Sequence, residues 1–164
     1  MTLNVSLPVG AAVEDEAAIR RLVYAFADAA NRRDIAQFSS VWVDGGIWKI
    51  SPPINFELTG TAETIGSAFG NLISRWEFFI QSPLHGIVEV DANRARARWY
   101  TQEIARAATD GTGHFNYGLY LDELVRTSDG WRFFSRTYHY LYLDDSPLHG
   151  QGFAAPSLTG WGES

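Results

Sequence analysis

Cysteine is absent from the 164-residue sequence, and methionine occurs only once. Without cysteine there can be no disulfide bond, no thiolate nucleophile and no Cys-based zinc site, which excludes a secreted disulfide scaffold. Basic residues are also sparse, since 13 Lys and Arg stand against 19 Asp and Glu and give a formal net charge of −6. Binding to nucleic acid depends on clustered Lys and Arg beside the phosphates, so we expect no nucleic-acid partner.

Long apolar runs are missing as well. No stretch approaches the roughly 18 apolar residues of a membrane span, and the N-terminal segment lacks a basic region followed by a long apolar run. We therefore expect a cytoplasmic protein without a membrane partner.

The sequence also lacks a glycine-rich phosphate loop, a His-Glu-x-x-His pair and a Gly-x-Ser-x-Gly nucleophile elbow. Its four histidines are scattered without the spacing of metal ligands, and a lone histidine is more often structural than ligating. We expect no cofactor and no bound metal.

Aromatic residues, in contrast, are abundant, with six Trp, seven Tyr and ten Phe. These large rigid side chains exceed the needs of a minimal core, so we expect some of them to line a cavity for a small hydrophobic molecule. The length fits a single domain over residues 1–164. Residues 1–12 are expected to form a loose tail. The segment 144–164 carries Leu148, Phe153 and Trp161 and is expected to pack on the domain or on a neighbouring subunit.

The order of helical and alternating patterns predicts an α+β fold. Apolar residues recur with helical spacing over 14–33, a short helix is predicted after Asp34, and a further helix runs from Thr61 towards Trp76. An aromatic strand is expected around Trp48. After Pro83 the chain consists of alternating segments separated by turn residues, which is typical of an antiparallel meander.

The segment from Arg94 to Glu103 alternates strictly, and successive side chains of a strand point to opposite faces. Its arginines share the face that must contact water, whereas Thr101 and Glu103 share the face that looks towards the helices. Burying a carboxylate without partners is costly. Glu103 is therefore predicted either to pair with a cation or to act as a catalytic acid or base, and both alternatives are open.

Two alternatives are also open for the last strand, residues 131–143. Its two faces consist of Arg132, Phe134, Arg136, Tyr138, Tyr140 and Tyr142 on one side, and of Trp131, Phe133, Ser135, Thr137, His139 and Leu141 on the other. If the first face is buried, Arg136 is the natural partner of Glu103. If the second is buried, His139 is the inward group.

Several stretches, taken in their order and spacing, resemble the SnoaL-like (nuclear transport factor 2-like) superfamily. They are the helix from Ala18 to Asp34, the turn from Phe38 to Trp42, the hairpin Asp129-Gly130-Trp131, and the closing run from Ser146 to Pro156. Within that superfamily the chain resembles hexachlorocyclohexane dehydrochlorinase, and more distantly bile-acid dehydratase and scytalone dehydratase. The resemblance implies a cone-shaped roll in which N-terminal helices wrap a curved antiparallel sheet around a pocket. It also implies a homo-oligomer, either a trimer or a dimer.

Transferred position by position, the resemblance selects the Arg136 face of the last strand. The pocket residues that it implies are Trp48, Leu72, Trp76, Phe79, Thr101, Glu103, Asn116, Tyr120, Arg136, Tyr138 and Tyr140.

The chain departs from this family at the catalytic pair. Family members that eliminate water or HCl use a His base held by an Asp, and the corresponding residues here are Gln81 and Asn31. An amide cannot accept a proton near neutral pH, so the family mechanism is absent in its usual form. His85 and Tyr24 are candidates to reach the site, and a structural role is open for each.

Glu103 is then the best candidate for an acid or base, with Arg136, Tyr120, Tyr138 and Asn116 as donors to a developing oxyanion. The leading hypothesis is a lyase or isomerase of dehydratase, dehydrochlorinase or cyclase type. It would act by elimination, cyclisation or retro-aldol cleavage on a hydrophobic aromatic or polycyclic substrate. The alternatives are a non-catalytic binding protein for a small apolar ligand and the small subunit of an aromatic-ring dioxygenase. For an enzyme, substitution of Glu103 or Arg136 is expected to lower turnover with little change in melting temperature.

Overall fold

The structure is a computed structural model that describes residues 11–158 and 160. Its helices are α1 (Ala11–Arg32), α2 (Ile35–Ser40) and α3 (Ala62–Ile73). Its strands are β1 (Trp42–Ile50), β2 (Phe56–Gly60), β3 (Trp76–Asp91), β4 (Arg94–Ala107), β5 (Gly113–Thr127) and β6 (Gly130–Asp144). Most of the predicted N-terminal tail, and Trp161 near the other end, lie outside the described residues.

The strands form one curved, open sheet in the order β2-β1-β6-β5-β4-β3. The predicted α+β class is confirmed, but the sheet is mixed and not antiparallel throughout. The chain meanders from β3 to β6 and returns beside β1, so that β6 runs parallel to β1 while every other neighbouring pair is antiparallel. The helices cover one face of this sheet, with α1 packed on β3 and β6 and with α3 packed on β1.

Helix α1 is held against the sheet by one apolar stripe. Ile19, Val23, Phe26 and Ala30 recur at helical spacing and are all at most 2% exposed. Burial of each large apolar side chain stabilises the fold by about 1.5–3 kcal/mol, so the stripe fixes which face of the helix meets the sheet. No helix among residues 11–158 is long and apolar enough to cross a membrane.

Strand β6 uses parts of both predicted faces because it contains an extra residue. Phe133 is buried and so is Arg136, although they are three positions apart and strict alternation would place them on opposite faces. The pairing of β6 with β5 shifts by one residue at this point and leaves Phe134 without a partner. This is a β-bulge, which inverts the alternation. The predicted face with Trp131 and Phe133 is therefore buried before the bulge, and the predicted face with Arg136 and Tyr138 is buried after it. His139 is consequently not the buried group.

Strand β3 begins earlier than the sequence pattern indicated. Helix α3 ends at Ile73, and Trp76 starts a strand that continues through Pro83. Because β3 lies at the edge of the sheet, a proline there removes no essential ladder hydrogen bond. The segment before Pro83 thus belongs to the sheet and brings Phe79 and Gln81 onto it. Strand β2 was not predicted.

The C-terminal segment after β6 forms neither helix nor strand over the described residues 145–158. It is anchored at Leu148, whose carbonyl oxygen accepts a hydrogen bond from Arg106 Nη1 at 3.1 Å and whose N–H donates to Gly111 O at 3.4 Å. Beyond this point Phe153 is 81% exposed. The start of the tail thus packs on the domain, and contact of Phe153 with a neighbouring subunit stays a prediction.

Candidate active site

A cavity of about 100 Å³ lies between the inner face of the sheet and the three helices. Its wall is mainly aromatic. The predicted site residues that border it are Trp48, Leu72, Trp76, Phe79, Gln81, Glu103, Tyr120, Tyr138 and Tyr140. Two exposed side chains, Ile54 and Arg75, also border the cavity, and they mark its mouth.

Glu103 borders the cavity and is held by two neutral amides. Gln81 Nε2 donates to Glu103 Oε1, and Asn116 Nδ2 donates to Glu103 Oε2 at 3.3 Å. Gln81 and Asn116 are the residues directly opposite Glu103 on the two neighbouring strands, which explains why all three meet. Gln81 Nε2 also donates to Tyr120 Oη at 3.0 Å, and the Tyr138 hydroxyl donates to Asn116 Oδ1. The carboxyl group thus sits within a hydrogen-bonded network of uncharged side chains.

The protonation of this network is governed by burial. Burial raises the pKa of Glu103 above its usual 4.5, while its two amide donors and the charge of Arg136 oppose part of that rise. Burial also raises the pKa of the phenols at the cavity, Tyr120, Tyr138 and Tyr140, and the nearby charge of Glu103 adds to the effect. The phenols are therefore protonated at neutral pH, and Glu103 is the group suited to exchanging a proton.

Asn31 binds the backbone of Gln81 and not its side chain. Asn31 Oδ1 accepts a hydrogen bond from the Gln81 N–H at 2.7 Å, and Asn31 Nδ2 donates to the Gln81 carbonyl oxygen at 3.0 Å. Asn31 does not border the cavity. It ties β3 to α1 and thereby positions Gln81, so Asn31 acts on the site through Gln81 and does not contact the cavity itself.

Arg136 is not the partner of Glu103. Its Nε lies 3.3 Å from Asp122 Oδ1, and the two side chains are 1% and 0% exposed. Asp122 stands directly opposite Arg136 on β5, whereas Glu103 is one strand further away on β4, so the nearer carboxylate takes the cation. The Arg136 guanidinium carbon lies 3.8 Å from the centre of the Tyr120 ring, which separates it from the cavity. The predicted ion pair between Glu103 and Arg136 is therefore wrong.

Two other predicted residues lie on the inner face but do not border the cavity, namely Thr101 and Asn116. The ring of Tyr138 covers this part of the sheet. It crosses the strand at Gly118, the residue opposite Thr101, where even a Cβ would lie only 2.0 Å from the ring. The predicted contact of Thr101 and Asn116 with the pocket is thus prevented by Tyr138.

The remaining candidates, Tyr24 and His85, face away from the cavity. Tyr24 is 52% exposed on the outer side of α1. His85 is exposed on β3 and stacks on Tyr100, with ring centres 4.7 Å apart. The prediction that either residue reaches the site is wrong, because each lies on the solvent side of its own element.

One histidine that the sequence analysis treated as structural borders the cavity. His114 is 8% exposed, and its Nε2 lies 3.0 Å from Tyr140 Oη. Its ring packs against Trp76 at a centre-to-centre distance of 5.0 Å, and burial lowers its pKa below 6.5. The alternation of β5 could have found it, since His114 precedes Asn116 by two residues and shares its face.

Metal ligation has no support in the residues that are described. Nowhere in 11–158 do three His, Asp or Glu side chains come together as a metal site would require. The polar groups available for chemistry at the cavity are Glu103, its amide partners, His114 and the phenols.

Residues 11–137 match the model of the SnoaL-like domain family. The match covers more than half of the chain, which therefore belongs to the SnoaL-like domain family. No protein with a curated description matches the sequence.

Solved structures show the same fold at low sequence identity. Protein Kfla4162 from Kribbella flavida is 23% identical, with a TM-score of 0.75 over 82% of this chain and 95% of that one. Hexachlorocyclohexane dehydrochlorinase LinA-type3 from Novosphingobium barchaimii is 21% identical, with a TM-score of 0.74 over 88% and 97%. A proposed scytalone dehydratase from Novosphingobium aromaticivorans is 16% identical, with a TM-score of 0.73 over 86% and 97%. These similarities establish the fold.

Proposed function

We propose that this chain is a cofactor-free lyase or isomerase in which Glu103 transfers a proton to or from a small apolar substrate in the cavity. The observation that supports the proposal most is the environment of Glu103, which borders the cavity and is held by neutral amides. A carboxylate with a purely structural role is stabilised best by a cation, yet Arg136 pairs with Asp122 instead. A buried carboxyl group with a raised pKa is suited to general acid–base catalysis near neutral pH.

The volume of the cavity favours a single-ring aromatic substrate over a polycyclic one. The cavity measures about 100 Å³. An engineered apolar cavity that binds benzene measures about 150 Å³, so a single ring already fills this smaller space and reaches its mouth. A second fused ring would have to extend through the mouth past Arg75 and Ile54.

Among the candidate reactions, elimination is the one we favour. Two proteins with the same fold are named a dehydrochlorinase and a proposed dehydratase, and both names describe eliminations. In such a step ionised Glu103 removes a proton from a substrate carbon, and the electrons of the C–H bond form a double bond. The leaving group departs with its bonding pair. Glu103 then returns the proton to the leaving group or to solvent.

The experiment uses 5-nitrobenzisoxazole, a general probe for a base in an apolar site. Its five-membered ring carries the acidic C–H and can enter the cavity, while its nitro-substituted ring extends through the mouth. Removal of its ring C–H proton forms a nitrile, breaks the N–O bond and releases a coloured cyanophenolate. We expect wild-type turnover above that of free acetate, with kcat/KM rising with pH through the raised pKa of Glu103. Glu103→Gln should lower kcat/KM at least about a hundredfold. Glu123→Gln, on the exposed face of β5, is the matched control and should match wild type.

Full activity of the Glu103→Gln variant, or wild-type turnover no faster than acetate, would contradict the proposal. The competing function is non-catalytic binding, which is favoured by the presence of Gln81 where the family has its base. Its expected outcome is a probe-dependent rise in melting temperature without turnover. Co-purification with a larger chain would instead support a dioxygenase subunit.

A further inference from the structure

The proposed reaction leaves two polar residues of the cavity wall without a role, His114 and Tyr140. Both border the cavity. They lie nearer its mouth than Glu103 does, because His114 is opposite Ala105 on β4 and Tyr140 is two residues beyond Tyr138 on β6. At that end of the sheet the backbone carbonyl of Arg75 accepts a hydrogen bond from the Ala108 N–H just after β4.

In either tautomer of His114, the pair His114 and Tyr140 has one donor hydrogen that is not used in the hydrogen bond between them. A neutral imidazole carries one N–H and a phenol carries one O–H, and the two residues share a single hydrogen bond at 3.0 Å. If Nε2–H donates to Tyr140 Oη, the phenolic hydrogen is free. If Tyr140 donates to Nε2, the hydrogen on Nδ1 is free, and no group among residues 11–158 is hydrogen-bonded to Nδ1. Either tautomer therefore leaves a donor for a third group.

We propose that His114 and Tyr140 form an oxygen-binding subsite, which donates the spare hydrogen to a hydroxyl, phenolate or carbonyl oxygen on an aromatic substrate. The inference rests on the proposed function, since it assigns the substrate class of the same cavity. Aromatic compounds with one oxygen substituent, such as phenols and aryl ketones, have the matching chemistry.

The spacing of the two polar centres fits such a substrate. His114 is the diagonal neighbour of Glu103, because Glu103 pairs with Asn116 and His114 precedes Asn116 by two residues. Diagonal positions on adjacent strands are roughly 7–8 Å apart. A single ring with an oxygen substituent spans a comparable length, so its oxygen can contact one centre while a carbon–hydrogen bond faces the other.

The charges around His114 place the oxygen at this end of the cavity. Arg75 at the mouth forms no ion pair within residues 11–158 and attracts a partly negative oxygen, whereas ionised Glu103 repels it. Tyr140 is the other titratable group that contacts His114, and its raised pKa keeps it a donor. Because burial lowers the pKa of His114, the imidazole is neutral at neutral pH and carries the single N–H that the donor count requires.

The test compares two ligands that differ by one oxygen, 4-nitrophenol and nitrobenzene. We expect wild type to bind 4-nitrophenol more tightly than nitrobenzene. The double variant His114→Leu/Tyr140→Phe should lose this preference by about 10- to 100-fold, the equivalent of one hydrogen bond to a charged group, while its nitrobenzene affinity is unchanged. Unchanged nitrobenzene affinity also reports an intact cavity. Each single variant should fall between the double variant and wild type.

The matched control is the double variant His149→Gln/Tyr142→Phe, in which both residues are exposed and outside the cavity, and its preference should equal that of wild type. An equal preference in wild type and in the His114/Tyr140 variants overturns the subsite, as does a wild type without preference. The Glu103→Gln variant separates the two proposals. If the subsite is correct, it keeps the preference for 4-nitrophenol whether or not its turnover of 5-nitrobenzisoxazole is lost.

Discussion

At the scale of single residues, two requirements on Glu103 conflict. To act as a base it must ionise, yet burial penalises its ionised form and raises its pKa. The folded protein therefore binds this proton more tightly than the unfolded chain does. The stability that results is fully present below the unfolded pKa, near 4.5, and is lost as the pH rises through the higher folded pKa.

Replacing Glu103 with the neutral Gln should therefore stabilise the fold at alkaline pH. We expect Glu103→Gln to melt a few degrees above wild type at pH 8, where about 1 kcal/mol corresponds to about 2–4 °C for a domain of this size. The difference should vanish below pH 4.5, where wild-type Glu103 is protonated in both states. Thermal unfolding across this pH range measures it, with Glu123→Gln as the exposed control. Equal melting temperatures at every pH would show that burial imposes no penalty on Glu103.

Gly118 is the residue that leaves room for Tyr138. A Cβ at this position would lie 2.0 Å from Tyr138 Cζ, so Gly118→Ala must displace the ring and its hydrogen bond to Asn116. We expect a loss of about 1–3 kcal/mol in the free energy of unfolding, measured with urea. Gly150→Ala is the matched control, because nothing lies within 4 Å of its added carbon. An unchanged free energy of unfolding in Gly118→Ala would show that the Tyr138 ring does not require the space above Gly118.

At the scale of elements, the bulge in β6 decides which charged groups meet. Without the bulge at Phe134, strict alternation along β6 would turn either Phe133 or Arg136 to solvent. With it, Arg136 points inward directly opposite Asp122, and the pair is buried behind Tyr120. Burial raises the pKa of Asp122 to about 7, and the adjacent Arg136 charge opposes that rise. The alternation predicted inward residues on both sides of the bulge but not the bulge itself.

Removing Arg136 should therefore destabilise the fold and not merely slow a reaction. Arg136→Met leaves Asp122 buried without its cation, which is expected to cost about 3–5 kcal/mol in urea unfolding. The double variant Asp122→Leu/Arg136→Met should be more stable than Arg136→Met, because no charge is left unpaired. Arg96→Met, on the exposed face of β4, is the control. A loss of turnover at unchanged stability would instead support the original expectation of a catalytic arginine.

At the scale of the whole molecule, the outer face of the sheet carries an apolar patch. Ile87, Tyr100 and Leu121 are 39–45% exposed, and the strand register places Ile87 and Leu121 on either side of Arg98. Exposed apolar groups that cluster in this way are typical of protein interfaces. The expected homo-oligomer, a trimer or a dimer, can use this surface.

We expect light scattering to give a mass of two or three chains. Leu121→Lys should shift the protein towards the monomer, because a buried lysine at an interface is costly to desolvate. Val13→Lys, at an exposed apolar position on α1, is the matched control and should keep the mass of wild type. A wild-type monomer across the accessible concentration range would contradict the oligomer.

The sequence alone determined the features that depend on local periodicity. The stripe of α1 follows from the 3.6-residue repeat, and the inward position of Glu103 follows from the two-residue repeat of β4. The tertiary structure decided which inward side chains meet. Asp122 took Arg136, His114 came to border the cavity, and Asn31 bound a backbone instead of a catalytic side chain, because these contacts depend on strand register, on a bulge and on strand order. Such features join residues distant in sequence, and no short repeat encodes them.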